Sequence, residues 1–358
     1  MKVRLKDYVE LVSDKTKNNK DIDSYVSTEN LLSDKQGVRF PATSVSNSKY
    51  IQTYRKDDVL ISNIRPYFKK IWKAERSGTH SNDVLCFRSK TDSLLQNFLY
   101  IILQSDRFFE FVSKNSKGTK MPRGDKKAIM QYEFELPSLS EQIKISNQVL
   151  SFEDKVLLNN QINDNLLKLA REQYKKIIAS SVLVETKLKD FAIIIMGQSP
   201  NSKTYNEKGI GIPLLNGAAD FRDGIHPKKW TTDPKRIVNK GAYIFGVRAT
   251  VGLTTKVYDN YAIGRGTGSA VAKDVTNDEF LYFVLEDMFK YFANTASGSV
   301  YINISKNDFE EYTFYKPQDK ELGLFHKIIN PIMKKIYTNK EENLILTQIK
   351  KSLLNYFL

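Results

Sequence analysis

Two stretches in the first third of the chain set basic and aromatic residues side by side. One holds Arg65, Tyr67, Phe68, Lys69, Lys70, Trp72 and Lys73; the other holds Lys117, Thr119, Lys120, Arg123, Lys126 and Lys127 around Gly118 and Gly124. A looser set follows later, with Arg222, Lys228 and Lys229 beside Trp230, then Arg236, Arg248, Arg265 and Lys306. Lys and Arg grip phosphates, while Arg, Asn, Gln, Ser and Thr can read base edges. A glycine loop such as 117–120 also lets backbone approach an anion closely. The structural alternatives are ordinary ones: the aromatics pack in a core, the lysines form a solvated edge, and the loop is a connector.

Net charge favours an anionic partner. The 358 residues carry a formal charge of +14, which makes nucleic acid the first candidate. Its distribution is uneven. Residues 1–137 hold 25 basic against 17 acidic side chains, whereas 138–180 hold 6 against 5. The excess therefore lies mostly in the first globular segment and not in the region that reads as helix.

Catalytic patterns are missing from the sequence. No glycine-rich loop ends in Lys-Ser or Lys-Thr, and no Gly-x-Ser-x-Gly elbow occurs. Gly264-Arg265-Gly266-Thr267-Gly268 reads as a loop or β-turn, because no helix opens after it. His80, His226 and His326 are far apart, none in a metal-spaced set, and His326 reads as a surface residue. The carboxylate pairs Glu310-Glu311 and Glu341-Glu342 read as solvated faces. One cysteine, Cys86 in an alternating strand-like run, excludes an internal disulfide and reads as a buried thiol. No apolar run approaches the ~18 residues of a membrane span, and no signal-peptide core follows the N-terminus. A cytoplasmic setting without membrane contact is expected.

The elements that would position these residues occur twice. Arg4-Leu5-Lys6-Asp7-Tyr8-Val9 returns as Lys187-Leu188-Lys189-Asp190-Phe191-Ala192, and Phe98-Leu99-Tyr100 as Phe280-Leu281-Tyr282, with an offset drifting from 183 to 182. Each copy predicts strands (56–64 and 83–88; 242–248 and 253–258), an amphipathic helix (94–112; 277–294), a glycine-containing loop, a short strand, a proline and a long helix. Two copies of one unit are present, not a short-period solenoid. Arg65 and Arg248 fall at equivalent places after a strand.

Both long helices carry an apolar seam at heptad spacing. The first holds Ile145, Val149, Phe152, Val156, Leu166, Ala170 and Ile177; the second holds Phe325, Ile329, Ile332, Ile336, Leu346, Leu353 and Phe357. Such seams call for a partner helix. Asn159 and Asn163 interrupt the first, Asn339 and Asn343 the second, and a buried Asn fixes register at a cost in stability. Run antiparallel and unbroken, the helices bring Asn159 to Asn343 and Asn163 to Asn339. Pro331 lies inside the second pattern and can kink or restart it, which would shift that register.

The module Leu136-Pro137-Ser138-Leu139-Ser140-Glu141-Gln142-Ile143-Lys144-Ile145, followed by Glu153-Asp154-Lys155 and Leu158-Asn159-Asn160-Gln161-Ile162-Asn163, resembles the central conserved region of Type I restriction–modification specificity subunits. The second copy, from Lys316-Pro317, matches less well, with Glu321-Leu322-Gly323 in place of Glu141-Gln142-Ile143. The stretch 297–305 resembles the late segment of that family's target-recognition domains and adds Ser299, Tyr301 and Asn303 to the candidates; the first copy departs there.

This resemblance implies an α+β protein. Two α/β target-recognition domains, 1–137 and 183–316, would be joined by spacer helices 138–182 and 317–358 forming an antiparallel coiled coil with pseudo-twofold layout. Such a chain reads a split double-stranded DNA target and has no catalysis or cofactor of its own. Two methyltransferase subunits would dock on the helices and hold S-adenosylmethionine and the flipped adenine, with room for a restriction and translocation subunit. Half-sites about one DNA turn apart, roughly 34 Å, suit helices of up to roughly 60 Å. The rival readings are a coiled-coil scaffold with incidental charge and an enzyme with an unrecognised site.

Overall fold

The computed structural model describes residues 1–222, 224–225, 227–247, 252–295 and 304–358. The chain divides into two compact units, residues 1–156 with 346–358, and residues 157–345.

In the first unit, strand Lys2–Arg4 pairs antiparallel with Glu133–Glu135, which ties the start of the domain to the segment leading into the first long helix. Two four-stranded sheets follow. One runs Val9–Leu11, Val84–Ser89, Val59–Ser62, Ile71–Lys73; the other runs Lys15–Lys17, Tyr50–Tyr54, Gly78–His80, Tyr25–Val26. Side-chain alternation explains how the first sheet is covered on both faces. Val59, Ile61, Leu85 and Phe87 enter one core with the helices. Leu60, Val84 and Cys86 enter a second core with Tyr54 and Trp72.

The helix expected over 94–112 is two helices, Gln96–Leu103 and Asp106–Lys114. Ser105 takes an extended conformation and accepts a hydrogen bond from the Phe108 amide, so it caps a new helix instead of continuing the old one. The residues from Phe98 to Leu103 are all buried, which exceeds the single apolar face of an amphipathic helix.

The second unit repeats this scheme. Strand Leu183–Lys187 pairs with Thr313–Pro317, as Lys2–Arg4 pairs with Glu133–Glu135. Strands at Tyr243–Gly246 and Thr254–Lys256 fall within the two predicted runs. Tyr243 and Phe245 point to the helix-side core, Ile244 to the other. Helix Asp278–Thr295 matches its expected span to within a residue.

One expectation is overturned. Gly264-Arg265-Gly266-Thr267-Gly268 is no loop: it lies inside the twelve-residue strand Tyr261–Ala272, which pairs with four other strands. The glycines are there for packing. A Cβ at Gly264 or Gly266 would strike Asn216, and one at Gly268 would strike the Phe245 ring. Glycine thus marks close backbone approach in a strand.

Both long helices are continuous, Leu139–Ser180 and Asp319–Phe357, the second running through Pro331. Pro331 and Lys327 are exposed, so the carbonyl that the proline cannot pair lies on the wet face, where water satisfies it. The seam positions are buried or half-buried. In the first unit Ile145 and Val149 share a core with Leu354; in the second, Ala170 shares one with Phe325, Ile329, Met333 and Ile336. Lys350 Nζ pairs with Glu153 at 2.6 Å in the first unit. The Asn layers take the register expected of unbroken helices. Asn159 Nδ2 donates to Asn343 Oδ1 at 2.9 Å, and Asn339 Nδ2 to Asn163 Oδ1 at 2.8 Å. The helices therefore run antiparallel within the second unit.

Candidate nucleic-acid interface

The two basic stretches of the first unit, about fifty residues apart in sequence, meet along one edge. Strand Val59–Ser62 ends there, and Arg65 and Lys69 both take left-handed backbone around the short 3-10 helix Pro66–Phe68. Strands Ser116–Lys117 and Arg123–Gly124 form a small antiparallel pair that carries the 118–122 loop. The stretches are joined by backbone bonds from Arg65 N to Pro122 O at 2.8 Å and from Gly124 N to Asn63 O at 3.1 Å. The Arg65 guanidinium adds a bond to the Lys120 carbonyl at 3.2 Å. Gly124 packs closely there: a Cβ would sit 2.8 Å from Asn63 Oδ1 and 2.9 Å from Ile129, and these side chains would have to shift to admit it.

This edge presents Arg65, Tyr67, Phe68, Lys117, Lys120, Met121 and Arg123, all exposed. The rings of Tyr67 and Phe68 lie 4.7 Å apart. They are open to solvent, so the packing alternative does not hold for them, whereas Trp72 is buried against Tyr54 and Phe40. Exposed aromatics beside cations suit contact with the sugars and phosphates of a duplex. Lys117 pairs with Asp125 at 2.7 Å, which holds its ammonium above the usual lysine value. Arg123 pairs with Asp83 at 3.1 Å.

Lys69, Lys70 and Lys73 turn inward. Lys69 and Lys35 both grip Asp106, at 2.7 and 2.8 Å. Burial alone would raise the Asp106 carboxyl, but the two lysines outweigh it and hold it down at about 2. Lys70 donates to the Thr28 carbonyl at 2.6 Å, and burial lowers its pKa. Lys73 bonds the Asn97 side chain at 2.5 Å and pairs with Asp57 at 3.4 Å. Lys69 ties the turn to helix Asp106–Lys114, Lys70 ties it to the Thr28 segment, and Lys73 ties strand Ile71–Lys73 to helix Gln96–Leu103.

In the second unit the candidates are more dispersed. Arg265 stands exposed in the middle of its strand. Lys229 opens strand Lys229–Thr231 and lies 5.8 Å over the Tyr205 ring, and Lys228 precedes it, exposed. Arg222 forms a backbone bridge with Gly224. Lys306 pairs with Glu310 at 3.0 Å on helix Lys306–Glu311. Arg248, Ser299, Tyr301 and Asn303, like His226, lie outside the described residues.

His326 is no plain surface residue. Its Nδ1 lies 2.6 Å from Glu279, whose side chain is almost fully buried, and Asn330 bonds the other carboxylate oxygen at 2.6 Å. This ties the second long helix to helix Asp278–Thr295. Among the described residues no group of three or more His, Cys, Asp or Glu could hold a metal ion.

Sequence reasoning missed one basic surface. Strand Lys15–Lys17 is an exposed sheet edge, paired with Tyr50–Tyr54, and exposed Lys49 lies 5.9 Å over the half-exposed Tyr50 ring. The signal was a Lys-Thr-Lys alternation with period two, in a segment whose polarity masked its strands.

The comparisons agree with the duplicated layout. The model for the Type I restriction modification DNA specificity domain matches residues 1–168 and again 183–351. The chain is 24% identical over 304 residues to a putative type I restriction enzyme MjaX specificity subunit from Methanocaldococcus jannaschii, covering 78% of this chain and 71% of that one. It is 20% identical over 428 residues to the type I restriction enzyme HindI specificity subunit of Haemophilus influenzae, covering 92% of each. The crystal structure of the S subunit of a Type I restriction–modification system from M. genitalium superposes with a TM-score of 0.58 at 15% identity, over 99% of this chain and 94% of that one, a likeness of fold.

Proposed function

Because the chain belongs to the family of Type I restriction modification DNA specificity domains, matched twice along its length, we propose that it is a specificity subunit whose two domains each read one half of a split double-stranded DNA target. The observation that carries the reading is the paired edge in the first unit. There Arg65, Lys120 and Arg123 stand beside the exposed rings of Tyr67 and Phe68. Cations of this kind position a duplex through its phosphates, and the aromatic and polar groups beside them meet base edges or sugars.

The chain supplies recognition and no reaction step. The methyl donor, S-adenosylmethionine, and the flipped adenine belong to two methyltransferase subunits. The docking platform is the pair of long helices, whose outer faces keep Leu139, Ile143, Leu324 and Ile328 about half exposed. Apolar side chains left open at helical spacing suit a partner surface. A restriction and translocation subunit is a third partner such an assembly would accept. Among the described residues no helix is long and apolar enough to cross a membrane, and we place the assembly with the DNA in the cytoplasm.

The test is a map of methylated adenines in a host carrying the neighbouring methyltransferase subunit, with and without this chain. A split motif methylated only in the presence of the chain is the expected outcome. No new motif, with the methyltransferase active alongside another specificity subunit, would leave the chain as a scaffold.

A further inference from the structure

In the second unit three segments converge around Arg265. Strand Ile212–Gly217 runs parallel to Tyr261–Ala272, with the register broken between Leu215 and Gly217. That bulge leaves Asn216 exposed, and bulges commonly re-aim a side chain in this way. Segment 197–199 is fixed alongside by backbone bonds from Gly197 to Thr267 at 2.9 Å and from Gln198 to Ile263 at 3.0 Å. Ser199 Oγ links the parts: it accepts from the Arg265 amide at 3.3 Å and donates to Asn216 Oδ1 at 3.4 Å. Gly264 and Gly266 on either side of Arg265 leave the room that Asn216 occupies, and Arg265 is exposed while the next residues on its own face, Ile263 and Thr267, are buried.

Charge makes the place unusual. Asp220 lies close to it, but its carboxylate is engaged by the amides of Asn216 and Gly217 at 2.8 and 3.3 Å. Among the described residues no carboxylate pairs with the Arg265 guanidinium. An exposed Arg fork, and an exposed Asn amide whose oxygen bonds the hydroxyl that also receives the Arg265 backbone amide, are the two groups best suited to bidentate contact with guanine and adenine in a major groove. The place in the fold also agrees. Val247 N bonds Gly266 O at 3.1 Å beside Arg265, and Asn63 N bonds Asp83 O at 2.8 Å beside the Arg65 edge of the first unit.

We propose that Arg265 and Asn216, brought together where Ser199 ties the Arg265 backbone to the Asn216 side chain, are the base-reading pair of the second specificity domain, with Arg265 reading a guanine and Asn216 the neighbouring position. The inference rests on the DNA-reading function proposed above and names the residues that set it. Arg265→Ala and Arg265→Lys remove the fork, and the lysine variant keeps the charge. Asn216→Ala removes the amide.

Methylated-adenine maps of the three variants, each with its methyltransferase partner, are compared with the unaltered chain. In both Arg265 variants one position of one half-site is expected to lose its base preference, about tenfold or more in relative methylation, while the other half-site stays intact. Asn216→Ala should relax an adjacent position. Two results overturn the proposal: an unchanged motif in Arg265→Ala, or a uniform loss at all sites that Arg265→Lys restores, which marks a phosphate contact. If the unaltered chain directs no split motif, the functional reading itself has failed, and this result is distinct from either. Unfolding temperatures matching the unaltered chain show that the exposed substitutions leave the fold intact.

Discussion

The side-chain amide of Asn339 donates to Oδ1 of Asn163 at 2.8 Å, between the long helices of the second unit. Both residues are buried, Asn339 completely. Replacing one partner strands the other's polar atoms, so Asn339→Ala is expected to lower stability by about 1–3 kcal/mol in urea unfolding. Replacing both by Leu removes the polar requirement and should come out near neutral. It also erases a device that favours one register over its neighbours. A neutral Asn339→Ala would show that the pair contributes nothing.

That register was legible because an α-helix is a short-range object. Heptad spacing marks the seam, the Asn positions mark its interruptions, and antiparallel pairing then fixes 159 with 343 and 163 with 339. The duplicated grammar of strands and helices was readable for the same local reasons. What escaped was set by tertiary contact. The glycines at 264, 266 and 268 have turn-forming chemistry, and only the close approach of Asn216 and Phe245 explains them in a strand. Ser105 breaks a pattern that is apolar on both sides of it. The basic stretches were found as such, but which lysines face outward depends on Asp106, Thr28 and Asn97, residues 24 to 42 positions away.

Gln142 explains part of the central module in structural terms. Its side chain, fully buried, accepts from the Leu95 amide at 2.9 Å and donates to the carbonyls of Ser93 and Pro137 at 2.8 and 3.0 Å. Beside it Ser138 and Glu141 cap the helix reciprocally. The second copy has Leu322 at this place, buried in the core. Gln142→Leu therefore removes the partner of three half-buried backbone groups and should cost about 1–3 kcal/mol in denaturant unfolding. Leu322→Gln buries an amide without partners and should cost a comparable amount. A neutral Gln142→Leu would mean that water replaces the three bonds.

Asp106 makes stability depend on pH in an acid window. Its carboxyl is held at about 2 by Lys35 and Lys69, against an ordinary value of 3.8. A depressed carboxyl contributes stability above its unfolded value and loses it as pH falls through the folded one. Asp106→Asn should thus be less stable than the unaltered chain at pH 6, by about 1 kcal/mol once solvent screening is allowed for. The difference should shrink from about pH 5 and vanish only below pH 2, towards about pH 1. A difference constant across that range would place the effect in packing, not in the carboxylate.

Lys120 and Lys70 separate DNA contact from internal support. Lys120 is exposed, and among the described residues its ammonium has no partner; Lys70 donates to the Thr28 carbonyl at 2.6 Å. A lysine that neutralises one phosphate adds about 0.9 to the slope of log K against log salt. In the assembled complex, on DNA carrying both half-sites, Lys120→Ala should reduce that slope by about 1 and weaken binding alike for all sequences. Lys70→Ala should leave the slope unchanged and lower the unfolding temperature instead. A slope unchanged by Lys120→Ala would remove the 118–122 loop from the interface. A slope reduced by Lys70→Ala would mean that its bond to Thr28 opens when DNA arrives.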